Sequence, residues 1–357
     1  MGIYFAVYLF FFLFSAWDLF IVDRRKAIKI SLMALLGITM VIFAGIRWET
    51  GTDWENYLYY FKIIDIRPIG GTAMEIGYEM LVRSFKLLIS SNYTPFLFFC
   101  AIYIIVLTYF VLFKYSPFPL FSLFLLLSYS FVGSGFGVRQ DLSIALTLIA
   151  LIFVVERSLL KFLVVVLLAS LIHNSAIVFI PAYWLYTFKW DTIKVLSIVV
   201  FTLFCVLFSE RIMSTFGTLI SARKVELYMT LGMETEANPY TTLIKGLLGR
   251  ILFFAILVGF VDYNNEDRKM FNGLFNLYVF GIIIFSIFSP ISLIFGRLAR
   301  YYDIYQILLL PLAYLYAKRI YKIIIFIVVS AFSLLKFTTA LNGSDGTFIP
   351  YKTIFSK

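Results

Sequence analysis

"IYFAVYLFFFLFSAWDLFIVDRRK", residues 3–26, decides the fold. Asp18 is the only charge in residues 3–22, and Asp23, Arg24, Arg25 and Lys26 follow at once. A helix rises about 1.5 Å per residue, so roughly 20 apolar residues cross a hydrocarbon core of about 30 Å. The run is longer than a secretory signal core and no positive charge precedes it, so it reads as an uncleaved first span. The basic cluster places its C-terminal end in the cytoplasm.

The whole chain repeats this pattern. Its 357 residues are 62% hydrophobic and only 14% charged, with a mean hydropathy of +0.95. A soluble domain cannot hide that much apolar surface, so the composition specifies an all-α polytopic membrane protein. A β-barrel would show short alternating strands, whereas these apolar runs are continuous. Cys100 and Cys205 both lie inside apolar runs and give no disulfide framework. The net charge of +10 is spread through short loops; it reads as membrane topology, not nucleic-acid binding.

About twelve transmembrane helices are expected, at 3–22, 29–46, 95–113, 117–132, 140–155, 158–172, 175–188, 194–209, 242–261, 270–289, 303–317 and 321–337. Strict alternation from the first basic cluster makes one set of short loops cytoplasmic. They hold Arg24, Arg25, Lys26, Lys29, Lys114, Arg157, Lys161, Lys189, Lys194, Arg268, Lys269, Lys318, Arg319 and Lys322, 14 basic residues against six acidic ones. The positive-inside rule is satisfied, and both termini face outward. The outer side then carries two large loops, 47–94 and 210–241, within a single membrane domain spanning 1–357. In the first, Glu75–Ser90 has Ile76, Met80, Leu81, Phe85, Leu87 and Leu88 among Glu79, Arg83 and Lys86 at amphipathic-helix spacing. Such a helix lies in the interface or dips into the protein.

Four polar motifs interrupt the hydrocarbon on that outer side. "GIRWETGTDWENY", residues 45–57, supplies Arg47, Trp48, Asp53 and Trp54. "GSGFGVRQD", residues 133–141, supplies Arg139, Gln140 and Asp141. "SLIHNSA", residues 170–176, contains His173, the only histidine, and "FGRLARYYDIY", residues 295–305, adds Arg297, Arg300, Tyr301 and Asp303. Each has a structural reading. Arg139 and Arg297 suit interfacial anchors, His173 a turn residue, and Asp53 the cap of a short helix over 54–64. Asp303 suits an ion-pair partner for Arg300 or Arg297. Charge at a membrane boundary is costly, however, and four such motifs on one face point to a ligand.

The motifs of soluble enzymes are missing. There is no GxxxxGK[ST] phosphate cradle, no HExxH and no paired CxxC, and one histidine with two apolar-run cysteines makes no zinc site. An enzyme outside the cell needs a donor already activated on a lipid. A polyprenyl-diphosphate-linked sugar fits: arginines contact diphosphate oxygens bidentately and stabilise the leaving group without metal. A histidine or carboxylate takes the proton from the attacking hydroxyl.

In the order "GIRWETGTDWENYLYYF", "EIGYEMLVRSF", "GVRQDLSIAL", "LIHNSAIVFIP", "GRLARYYDIYQILLLP" and "FIPYK", the chain resembles the EpsG/Wzy-type family of bacterial polysaccharide polymerases from about residue 45 to 352. The resemblance implies a GT-C-like membrane fold and polymerisation of undecaprenyl-diphosphate-linked oligosaccharide repeat units at the outer face of the inner membrane. It implies no cofactor, and a chain-length regulator and a flippase as partners. Residue by residue, it gives Arg47, Arg139, Gln140, Arg297, Arg300 and Tyr301 to diphosphate or substrate binding. Trp48 and Trp54 go to sugar faces, and His173 and Asp53 to catalysis. Two other classes stay open: a lipid-linked glycan ligase, and a flippase or transporter, which would show internal repeats and mid-membrane charges.

Overall fold

The computed structural model describes residues 1–21, 26–51, 53–72, 74–132, 137–189, 192–208, 211, 239–261, 268–290, 293–342 and 347–356. The glycine-rich start of the second motif (133–136), nearly all of the second large loop and the basic cluster at 23–25 lie outside them. Helices account for most described residues. Five are long and apolar enough to cross a membrane: Gly2–Phe20 (α1), Lys26–Gly45 (α2), Tyr93–Tyr115 (α5), Lys269–Phe288 and Arg319–Asn342. The run at 175–188 is not one helix. Asn174–Phe179 forms a 3₁₀ turn, and the four-residue helix Ala182–Leu185 starts after Pro181, which has no N–H to continue a hydrogen-bond ladder.

The chain forms two compact units. The first comprises Met1–Ile180 with Gln306–Lys357. It contains α1, α2, Trp54–Ile63 (α3), Ile76–Leu88 (α4), α5, Pro119–Leu125 (α6, prolonged by a π-helical turn to Phe131), Arg139–Val155 (α7) and Leu159–Ile172 (α8). α1 lies on α6, α2 on α5, α5 on α7, and α7 on α8. Asp18 has a structural use here. Its carboxylate accepts the Leu120 N–H at 2.9 Å and meets Lys29 at 3.0 Å, so α1 caps the start of α6.

Between α2 and α5 the chain folds back as α3 and α4. Tyr78, Val82 and Phe85 recur one helical face apart on α4 and are buried. With Trp54, Tyr60 and Phe61 of α3 they pack on Tyr93, Phe96 and Cys100 of α5, Leu142 of α7 and Ile172 of α8. Each large side chain so buried contributes about 1.5–3 kcal/mol. Leu87, Leu88 and Ile89 remain exposed at the other end, so the amphipathic helix anchors one face in the protein and leaves apolar side chains outside it. Gly77 sets its position: a Cβ there would lie 2.6 Å from the Leu171 carbonyl oxygen, so only glycine lets α4 meet the last turn of α8 this closely.

The second unit, Pro181–Tyr305, contains the helices Thr192–Leu207, Pro239–Gly259 and Lys269–Phe288. Asn276 ties its first turns to the long helix by donating to the carbonyls of Leu185 (3.0 Å) and Phe188 (2.8 Å). Gly273 and Gly246 accommodate the rings of Tyr186 and Phe285.

Candidate active site

After α2 ends at Gly45, the first motif is tied down by a segment distant in sequence. Arg47 pairs with Thr353 in an antiparallel bridge. Trp48 N–H donates to the Lys352 carbonyl at 2.9 Å, Ile354 N–H to Ile46 at 2.9 Å, and Gly51 N–H to Thr347 at 3.1 Å. Lys352 also meets Glu49 at 2.8 Å, Tyr4 donates to the Phe348 carbonyl at 2.9 Å, and Tyr351 stacks on Phe43. The closing "FIPYK" is therefore a strap across the first loop. Glu49 (φ 46°) and Gly51 (φ 111°) take left-handed backbone conformations where the chain turns towards α3.

The strap buries Arg47, which is 6% exposed, with Tyr93, Cys100, Tyr351 and Asp141 within electrostatic reach. Trp48 packs edge-on against Trp54 with ring centroids 4.7 Å apart; Trp54 is buried, whereas Trp48 stays half-buried. Asp53 occupies the N-cap position of α3, but its side chain makes no cap hydrogen bond, and it is exposed. The expected helix cap is thus corrected: Tyr57 N–H bonds to the Asp53 backbone carbonyl at 3.1 Å, leaving the carboxylate outside the cap.

Arg139 opens α7, and His173 ends α8 in an extended conformation (φ −151°, ψ 110°). Glu75, the residue before α4, joins them. Arg139 Nη1 donates to Glu75 Oε2 at 2.8 Å and to Met74 Sδ at 2.8 Å. His173 Nδ1 lies 3.3 Å from Glu75 Oε1, which also accepts the Asn174 N–H at 3.3 Å. Gly77 makes this meeting possible, because α4 touches α8 there, two residues after Glu75 and two before His173. The Glu75 side chain is 10% exposed. Burial pushes its carboxyl upward, but the His173 contact and the Arg139 charge outweigh that and bring it down to about 2. On the other side of Arg139, the Tyr57 hydroxyl reaches its backbone; burial raises that phenol, with the charge of Arg139 opposing.

Three motifs thus converge in the first unit. Gln140 is half-buried in the first turn of α7 beside Asp141. The fourth motif belongs to the second unit: Arg297 is exposed, Arg300 half-buried and Tyr301 fully buried in a short helical turn. Asp303 corrects another expectation. Its carboxylate pairs with Arg250, which also donates to the Gly246 carbonyl at 2.9 Å and stacks on the Phe285 ring at 3.7 Å. Glu75 and Arg250 were missed as partners because each is distant in sequence from the group it serves. Glu75 did stand two residues before a glycine, Gly77, that interrupts an amphipathic pattern, which is the one available signal.

Membrane-compatible apolar helices, with a guanidinium, a carboxylate and an imidazole gathered where α7 begins and α8 ends, define a multi-pass membrane protein with a part-buried polar cluster. The chain belongs to the EpsG family, whose model matches residues 30–353, nearly its whole length. EpsG is a Wzy-type polysaccharide polymerase family, so the chain has a polysaccharide polymerase role on a lipid-linked oligosaccharide. No curated protein and no solved structure matches it.

Proposed function

We propose that this protein polymerises undecaprenyl-diphosphate-linked repeat units at the outer face of the inner membrane, using a GT-C-like arrangement of about twelve spans. A hydroxyl at the non-reducing end of a new lipid-linked unit attacks the anomeric carbon of the growing chain. The carbon–oxygen bond to the old lipid diphosphate breaks, and the hydroxyl proton passes to His173. Arg139 meets the charge developing on the departing diphosphate with planar, charge-assisted contacts. Arg47 adds positive charge from beneath the strap and Gln140 a further substrate contact, while the family resemblance assigns Arg297, Arg300 and Tyr301 of the second unit to diphosphate or substrate binding. Trp48 offers a ring face to a sugar, with Trp54 supporting it from the core, and Asp53 is the rival proton acceptor. A flippase supplies the substrate, and a chain-length regulator sets when polymerisation stops. The observation supporting this reading is the Glu75 carboxylate, which holds an arginine and the only histidine in one cluster.

The chemistry needs no divalent ion, because guanidinium groups carry the leaving-group stabilisation. Purified protein in nanodiscs, given undecaprenyl-diphosphate-linked repeat units and excess chelator, is expected to build a ladder of polymer lengths. Loss of the ladder, restored by a divalent ion, would reject the metal-free mechanism. Transfer of single units to an unrelated acceptor would favour a ligase, and movement of substrate across the bilayer with no new bond would favour a flippase.

The outward orientation has its own test. In a Cys100→Ser/Cys205→Ser background, a single cysteine at Glu49 is expected to react with an impermeant thiol reagent added outside intact cells. One at Arg157, between α7 and α8, is expected to react only after lysis. The reverse pattern would turn the site to the cytoplasm and remove the lipid-linked donor argument.

A further inference from the structure

Glu75 binds two groups that the proposed reaction uses at different moments. One oxygen takes Arg139 at 2.8 Å; the other faces the His173 ring and the Asn174 N–H, both at 3.3 Å. Three donors surround the carboxylate, and its carboxyl titrates at about 2, so at neutral pH it is ionised and can only accept hydrogen bonds. The ring nitrogen facing it must then be a donor. That fixes the proton of a neutral His173 on Nδ1 and leaves the lone pair on Nε2. The charged and titratable groups around this pair come from three elements: Glu75 itself before α4 with Tyr78 on α4, Arg139 and Asp141 on α7, and Asp53, Tyr57 and Tyr60 at α3. α8 contributes only Lys161, which lies at its opposite end.

We infer that Glu75 is a positioning residue that holds His173 as the Nδ1–H tautomer, with Nε2 turned to the substrate, and that an anionic diphosphate reaching Arg139 frees the carboxylate from the guanidinium and leaves it to His173 and the Asn174 N–H. The inference rests on the proposed polymerase reading and adds its regulation. Arg139 and His173 share one carboxylate. A diphosphate presents more negative charge and more acceptor oxygens than a carboxylate and draws the guanidinium towards itself. Glu75 then concentrates its charge on the Nδ1–H bond and strengthens the base only once a donor is seated. Proton transfer thereby becomes coupled to the arrival of the leaving group.

His173 is the only histidine, so ¹⁵N labelling of histidine gives a single pair of ring-nitrogen signals from the full chain in nanodiscs. At mildly alkaline pH the wild-type spectrum is expected to show a protonated Nδ1 and an unprotonated Nε2. Glu75→Gln, whose amide can donate as well as accept, is expected to mix the tautomers or invert them, and Glu75→Asp to restore part of the Nδ1–H population. The same Glu75→Gln change is expected to lower kcat by about 10²-fold or more, as expected when a catalytic imidazole loses its orienting carboxylate. Inorganic pyrophosphate, the probe for the lipid diphosphate, is expected to shift the wild-type Nδ1 signal towards a stronger hydrogen bond and to leave the Arg139→Ala signal in place.

A wild-type ring protonated on Nε2 would overturn the positioning role, and this measurement stands even if the Glu75 variants fail to fold. Pyrophosphate that binds, seen by phosphorus line broadening, without moving the Nδ1 signal would overturn the coupling. Neither readout needs turnover. A locked tautomer in an enzyme whose polymer survives loss of His173 would therefore sink the catalytic reading and the coupling to proton transfer, and spare the positioning of the ring by Glu75.

Discussion

His173→Ala is expected to leave single repeat units on their lipid while the protein reaches normal membrane levels. Removing a positioned general base costs about 10²–10⁴-fold in rate, enough to erase the polymer ladder. Folding is expected to survive, because the side chain is 22% exposed and the local structure is held by backbone bonds: His173 N–H to Ala169 at 3.0 Å and Ala176 N–H to His173 at 2.9 Å. Glu75 keeps Arg139 and the Asn174 N–H as partners in the variant. The measurement is polymer length distribution beside membrane abundance, with Asp53→Asn in parallel. Near-normal ladders from His173→Ala at normal abundance would return the histidine to a helix-ending role. They would leave Asp53, exposed and outside the helix cap, as the better proton acceptor.

Arg139→Lys carries the second large expected effect. Loss of a preorganised donor to developing negative charge costs about 10²–10³-fold. Lysine restores the charge but not the fork: its ammonium is a compact point donor, whereas the guanidinium uses Nη1 to hold Met74 and Glu75 and presents its remaining N–H groups elsewhere. Lysine is therefore expected to recover only a small part of what alanine loses, mainly in kcat. Glu75 would keep a cationic partner and the loop its fold. If Arg139→Lys and Arg139→Ala both gave near-normal ladders, the arginine would be an interfacial anchor. If lysine alone were normal, the clamp would reduce to an unspecific positive patch.

The sequence made the helices readable because hydrocarbon length is a one-dimensional constraint: an apolar run and its basic flank are contiguous. Arg139 and His173 were legible for a related reason, since a charge or an imidazole beside a span is costly wherever the fold takes it. Their common partner was not. Glu75 reads as the first residue of an amphipathic helix, and only the approach of that helix to α8 at Gly77 gives it two ligands 64 and 98 residues away. Asp303 went to the nearest arginines in sequence, whereas helix packing delivered Arg250, 53 residues earlier. Trp54 was read as a sugar platform with Trp48, and the core around α5 claimed it, because burial depends on which face of α3 turns inward. At 175–188 an apolar run passed for one helix because hydropathy does not register the missing N–H of Pro181.

The strap over the first loop has a consequence in time. Its bonds join Thr50 to Lys352, 302 positions apart, so they can form only after the ribosome has passed residue 352. At about 5–20 residues per second that interval is roughly 15–60 s. Throughout it Arg47 has no Thr353 to pair with, and the first loop waits, its helices already made, for the last segment to thread back to it. The order of biosynthesis thus keeps the first loop open while the membrane helices are still being inserted. A nascent chain arrested before residue 347 has every described helix but lacks the means to close its first loop.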